Sequence, residues 1–172
     1  ASRIPSELNL RTFEMGMISF RPDPEQFRTI AVYGDALALV VSPQHPLAGA
    51  GRVSIAELGG ESFIAHNVTS PLRRKVIETF ERYRTPLNME IELPTIEAIK
   101  RFVAMGNGVA LIPHLSAARE LETGELVAIS VTELEMKRVL RLVHRRQGTL
   151  SYAATAFLQS VRTLARSKGP PF

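Results

Sequence analysis

The chain contains no cysteine and no tryptophan. The first absence excludes disulfides, thiolate zinc sites and a cysteine nucleophile. The second, with aromatics at only 6% of residues, leaves the basic segments without platforms on which bases could stack. No apolar run approaches the ~18–20 residues of a membrane span, so no membrane partner is expected. Nothing at the N-terminus follows the charged, apolar, small-residue order of a signal peptide. Catalytic signatures are also missing: there is no Gly-x-Ser-x-Gly elbow, P-loop, His-Glu-x-x-His or dinucleotide-binding glycine fingerprint opening a helix. His45, His66, His114 and His144 are far apart without ligand-like spacing, and read as loop or surface histidines rather than metal ligands. The residues therefore make no case for an enzyme, a metal or a cofactor.

What is present is enough for a real core: 172 residues, 45% of them hydrophobic, which argues against disorder. The formal charge is +4 and the sequence pI about 9.8, a balance that suits nucleic acid, an anionic ligand or simply solubility. Arg73-Arg74-Lys75 falls on a predicted helix beside an apolar stripe and is expected to be a solvated face. The cluster from Lys137-Arg138 to Arg145-Arg146 alternates with Val139, Leu140, Leu142 and Val143, as in a strand with charged ends. Direct nucleic-acid binding by this segment is not expected.

The most informative stretch runs from Glu92 to Pro113. Met89-Glu90-Ile91-Glu92-Leu93 alternates with period two, which predicts a half-buried strand with Glu90 and Glu92 facing solvent. Ile96, Ile99 and Val103 then recur at helical spacing, widened by Ala98 and Phe102, with Thr95 placed as N-cap. Gly106 and Gly108 can take the left-handed turn that stops the helix, and Val109 to Ile112 suits a buried strand. Upstream, Ser70-Pro71 is a strong helix start, with Leu72, Val76, Ile77 and Phe80 forming an apolar face down to about Tyr83. Further strands are predicted at 15–20, 30–33, 36–41, 62–66, 126–131 and 139–143. Gly34-Asp35 reads as a turn, and 42–48 as a proline-fixed loop. Short helices are expected near 8, at 54–58 and at 116–121. A last helix over about 151–166 should turn Ala154, Phe157, Leu158, Val161 and Leu164 inward, and 168–172 should fray. Strands alternating with helices predict an α/β fold with largely parallel pairing.

The chemistry that remains is two hydroxyl-capped helix starts, Ser70 and Thr95. Either cap alone is most simply structural. Two in one α/β unit, each just after a strand, favour an anion: free N–H groups, a hydroxyl and the positive helix end converge there. His66 and Asn67 lie beside the first cap and could add selectivity.

From Leu37 onward the sequence resembles the effector-binding domain of LysR-type transcriptional regulators. The matching stretches are Leu37-Ala38-Leu39-Val40-Val41 leading to His45-Pro46-Leu47-Ala48, then Ser62-Phe63-Ile64 and Ser70-Pro71-Leu72-Arg73-Arg74 with Phe80. They continue with Ile96-Glu97-Ala98-Ile99, Val103-Ala104-Met105-Gly106-Asn107-Gly108-Val109-Ala110-Leu111-Ile112-Pro113, Glu120-Leu121 and Gly124-Glu125-Leu126-Val127. Arg138 to Arg146, Leu150-Ser151, Ala154 and Phe157-Leu158 follow, and Phe13-Glu14-Met15-Gly16-Met17-Ile18 resembles an earlier stretch of the family. No single piece is diagnostic; their order and spacing are.

The resemblance implies a type 2 periplasmic-binding-protein-like α/β fold, two lobes joined by two crossover strands, with a small-molecule cleft between them. The effector-binding domain would span 1–172, its second lobe 33–135, and its first lobe 1–32 and 136–172. Nothing here matches the family's DNA-binding helix-turn-helix, linker helix or opening β-α-β, so the first lobe is expected to be incomplete. By the same resemblance Ser70 and Thr95 would bind ligand; Thr69, Ile96, His66 and Asn67, beside these caps, are candidates with them. Ser19 and Phe20 would lie near the hinge, Pro113 at the cleft edge, and Ser2 could belong to a first-lobe turn. The implied partners are a small anionic effector, promoter DNA through a separate N-terminal domain, and further copies in a homodimer or homotetramer in the cytoplasm. The alternative is an extracytoplasmic solute-binding protein of the same fold.

Overall fold

The computed structural model describes residues 3–167, so the assignment to Ser2 and the fraying expected over 168–172 lie outside the described residues. In chain order the elements are α1 (Ile4–Asn9), β1 (Met15–Ile18), β2 (Phe27–Val41), β3 (Arg52–Val53), β4 (Ser62–His66), α2 (Pro71–Arg82), β5 (Asn88–Leu93), α3 (Ile96–Ala104), β6 (Ala110–Pro113), α4 (Ala118–Thr123), β7 (Val127–Val131), β8 (Lys137–Arg145) and α5 (Tyr152–Ser167). The chain divides into two compact units. One comprises the residues before Ala36 and after Met136, the other Ala36–Met136. The backbone passes from one to the other twice, within β2 and at the head of β8.

The continuity of β2 corrects the turn expected at Gly34-Asp35. A Gly-Asp pair makes a hairpin only when its two flanks pair with each other. Here the downstream flank pairs elsewhere, antiparallel with β6 (Leu39↔Leu111) and with β7 (Leu39↔Ile129), and the chain runs straight through. Pairing is accordingly mixed rather than largely parallel. β1 with β8 is also antiparallel, while β3 with β7 and β4 with β5 are parallel. The loop expected at 42–48 carries a 3₁₀ turn over Pro46–Gly49. His45 caps it, with Nδ1 accepting from Leu47 N–H and Nε2–H donating to Glu61 over 3.2 Å.

In the Ala36–Met136 unit, alternation along β2 feeds two cores. Leu39 and Val41 pack with Phe63, Val76, Phe80 and Ile129, where Phe63 and Phe80 meet edge to face at 5.4 Å. Val40 packs with Ile64, Ile99, Val103 and Ile112. The helix faces read from the sequence are the buried ones: Val76 and Phe80 of α2, Ile99 and Val103 of α3. Met89, Ile91 and Leu93 of β5 are half-buried between exposed Glu90 and Glu92. Gly108 sits at φ +134°, and a Cβ there would fall 2.4 Å from the Ser62 carbonyl oxygen, so only glycine fits this approach of the α3–β6 turn to β4.

In the other unit, Leu8 of α1 packs with Ile18, Phe27 and Val143, and Leu142 of β8 packs with Leu158 and Val161 of α5. Ser151 caps α5 by accepting from Ala154 N–H, and its own N–H and hydroxyl donate to Glu14 at 2.6 and 2.8 Å. Those two hydrogen bonds hold the Glu14 carboxyl below its ordinary range. Two expectations fail here. Phe157 and Leu164 are exposed at 54% and 51%, because the buried stripe of α5 is the narrower Ala154, Leu158, Val161 set. His144 is not a loop or surface histidine; it lies on β8 and is buried, where the strand's packed face takes the ring. No helix among the described residues is long and apolar enough to cross a membrane.

Candidate functional site

β4 and β5 run parallel, with His66 opposite Leu93 at their C-terminal ends, and Val109, the residue before β6, makes an isolated parallel bridge to Phe63 of β4. Both strand ends lead directly into helix starts. Carboxyl ends of parallel strands followed by helix N-termini are where α/β folds place ligands.

Each helix start is built as its sequence dictates. Ser70 is extended (φ −132°, ψ 158°), its Oγ accepts from Arg73 N–H at 3.1 Å, and Pro71 occupies the first helical position. Thr95 has the same backbone form (φ −137°, ψ 148°), and its Oγ1 accepts from Ala98 N–H at 3.1 Å. Each hydroxyl thus satisfies one first-turn donor of its helix. Thr69 and Asn67 are exposed, and Ile96 is half-buried against the Val40 core. The His66 Nδ1 accepts from Val68 N–H at 3.1 Å, so the neutral ring carries its proton on Nε2 as a donor. The Asn67 N–H donates to the Leu93 carbonyl at 3.1 Å, a direct backbone tie between the two loops.

Pro113 ends β6, paired with Leu37 in the β2 ladder. Ser19 and Phe20 follow β1 in the other unit and are exposed. The structure thus brings His66, Asn67, Thr69, Ser70, Thr95 and Ile96 onto two adjoining loops.

One contact of these loops was not legible in the sequence. Arg73, expected on a solvated face, is only 22% exposed in its side chain. Its Nη1 donates to the His66 carbonyl at 2.6 Å, and its Nη2 pairs with Glu92. Only Arg74 and Lys75 of that cluster are exposed. Glu92 is exposed, as expected, and also pairs with Arg73. The pair bridges 19 residues of chain, a distance at which sequence pattern carries no signal. Chemically, the two loops offer neutral donors for an acidic oxygen, namely hydroxyls, backbone N–H groups and the His66 ring, while Arg73 is already paired with Glu92. No cluster of three or more metal-ligating His, Asp or Glu occurs among the described residues.

Comparison with known proteins agrees with this architecture. The family model for the LysR substrate binding domain matches residues 1–166. The RuBisCO operon transcriptional regulator of Allochromatium vinosum is 28% identical over 154 residues, covering 90% of this chain and 51% of that protein. The HTH-type transcriptional activator CmpR of Synechocystis sp. is 30% identical over 122 residues, covering 71% and 40%. The chain thus spans about half or less of the length of these curated relatives. Among solved structures, the Synechocystis CcmR regulatory domain in complex with 2-PG superposes with a TM-score of 0.80 at 23% identity, covering 95% of this chain and 79% of that one. The effector binding domain of QuiR in complex with shikimate gives 0.74 at 18% identity, covering 97% and 78%. These relatives are regulators, so the solute-receptor alternative is not favoured. The fold is that of the type 2 periplasmic-binding-protein-like regulatory domains, and the chain belongs to the LysR substrate-binding domain family.

Proposed function

We propose that this chain is the effector-sensing part of a bacterial transcription factor, and that its effector is a small anion held by the β4–α2 and β5–α3 loops. The observation that carries the reading is the pair of hydroxyl-capped helix starts at the ends of adjacent parallel strands, within a chain of this family. Ser70, Thr69, Thr95, Ile96, His66 and Asn67 are the proposed ligand residues. Pro113 is proposed at the rim, and Ser19 and Phe20 as hinge contributors. Residues 33–135 are proposed as the second lobe, with 1–32 and 136–172 belonging to the first.

By this reading the protein does no catalysis. Effector binding biases one conformation over another, which requires different affinities for the two. Promoter DNA would be bound through a separate domain, by a homodimer or homotetramer in the cytoplasm. The CcmR neighbour was solved with 2-PG and the QuiR neighbour with shikimate, so both belong in the first screen. The test is a thermal-shift panel of 2-PG, shikimate and inorganic phosphate, with a neutral sugar as control. At least one anion is expected to raise the melting temperature, and the Ser70→Ala/Thr95→Ala double variant to lose that rise. A rise that survives in the double variant would place the ligand elsewhere.

A further inference from the structure

We propose that Arg73 is the positioning residue of this site, a strut that holds the Ser70 and Thr95 loops in fixed register; the role in binding rests on the reading above. Three observations converge on this one residue. The Arg73 backbone N–H is the group capped by Ser70, so its main chain belongs to the first loop. Its Nη1 reaches back to the His66 carbonyl at 2.6 Å, closing that loop from 66 to 73. Its Nη2 pairs with Glu92, three residues before Thr95, so the same guanidinium grips the approach to the second loop. A planar guanidinium fork holds its donors toward two acceptors in fixed directions, whereas the rotatable donors of an ammonium on a flexible stem do not fix them.

The partnership also assigns a charge role. Glu92 cancels the Arg73 charge, so Arg73 orients the ligand groups without being one of them. Anion recognition falls to neutral donors already aimed by the strut.

The experiment is amide hydrogen exchange on the free protein, paired with titration by inorganic phosphate. Arg73→Lys keeps the charge and loses the fork. Exchange at the Asn67 and Ala98 amides should rise about tenfold, while Val76 and Phe80 in the body of α2 stay protected. Glu92→Leu should act likewise, and Glu92→Gln, which retains an acceptor oxygen, should restore most of the protection. Phosphate affinity should fall in step with loop opening, about tenfold in Arg73→Lys. Unchanged exchange at Asn67 and Ala98 in Arg73→Lys overturns the strut, and opened loops with unchanged phosphate affinity overturn its positioning role. If the wild-type chain bound no anion, the effector reading would fail while exchange still decided the strut.

Discussion

The Lys100 ammonium lies 3.0 Å from the Glu120 carboxylate, tying α3 to α4 with a lysine side chain only 7% exposed. The exposed Glu97, one turn away, supplies a second oxygen at 2.9 Å. Burial works against the Lys100 charge, but hydrogen bonds and charge from Glu97 and Glu120 outweigh it and hold the lysine above its ordinary range. The hydrogen bond from Lys100 in turn holds Glu120 below the usual carboxylate range, against its own burial.

Removing Glu120 leaves the buried Lys100 with only the exposed Glu97 as counter-charge. Glu120→Ala should cost about 2–3 kcal/mol in urea unfolding, more than an exposed pair would. Lys100→Met with Glu120→Leu should recover most of that loss, because neither charge remains to be desolvated. A double variant no better than Glu120→Ala contradicts this account of the pair.

The pH dependence has two edges. Glu14, Glu57 and Glu120 all have lowered values, the first two through hydrogen bonds from Ser151 and Ser54. A carboxylate held low in the folded state contributes stability above its unfolded value, lost as pH falls through the folded one. Lys100, held high, contributes fully below its unfolded value and loses that contribution as pH rises through the folded one. Urea midpoints should therefore drop on acidification below the ordinary carboxylate range and again at strongly alkaline pH. Lys100→Met should remove the alkaline drop.

At Gly108 the backbone leaves no alternative residue. Gly108→Ala combines a disfavoured φ with a Cβ 2.4 Å from the Ser62 oxygen, and should cost roughly 2–4 kcal/mol. Gly106→Ala meets nothing within 4 Å and carries only the strain of its φ of +80°. Chemical denaturation of the two variants should rank them in that order.

Along α5 the sequence stripe misled, and the variants should expose the difference. Leu158→Ala, at a buried position, should cost about 2–4 kcal/mol, whereas Phe157→Ser should stay within about 0.5 kcal/mol. Equal losses would mean that Phe157 is packed.

Much of the architecture was legible because it is locally determined. Ser70 before Pro71, Thr95 before Ile96 and Gly106 after the helix are short-range chemistry that the backbone obeys wherever it is placed. The alternation in 89–93 and the stripe of α3 were likewise fixed by period. The rest depends on partners distant in sequence. Whether Gly34-Asp35 turns is decided by what β6 and β7 offer to β2. Arg73 is drawn from solvent by Glu92 on the neighbouring strand and by the His66 carbonyl, and Lys100 is buried where α4 brings Glu120. For the same reason the candidate ligand residues could be named from the two caps, while the residue that ties those caps together could not.

The most direct test of the central claim is an amide-resolved NMR titration of this chain with the anions of the thermal-shift panel. A binding anion is expected to shift the amides of 66–73 and 95–98 first and most, and Ser70→Ala with Thr95→Ala to abolish those shifts. Saturable binding that leaves both loops unperturbed would contradict it.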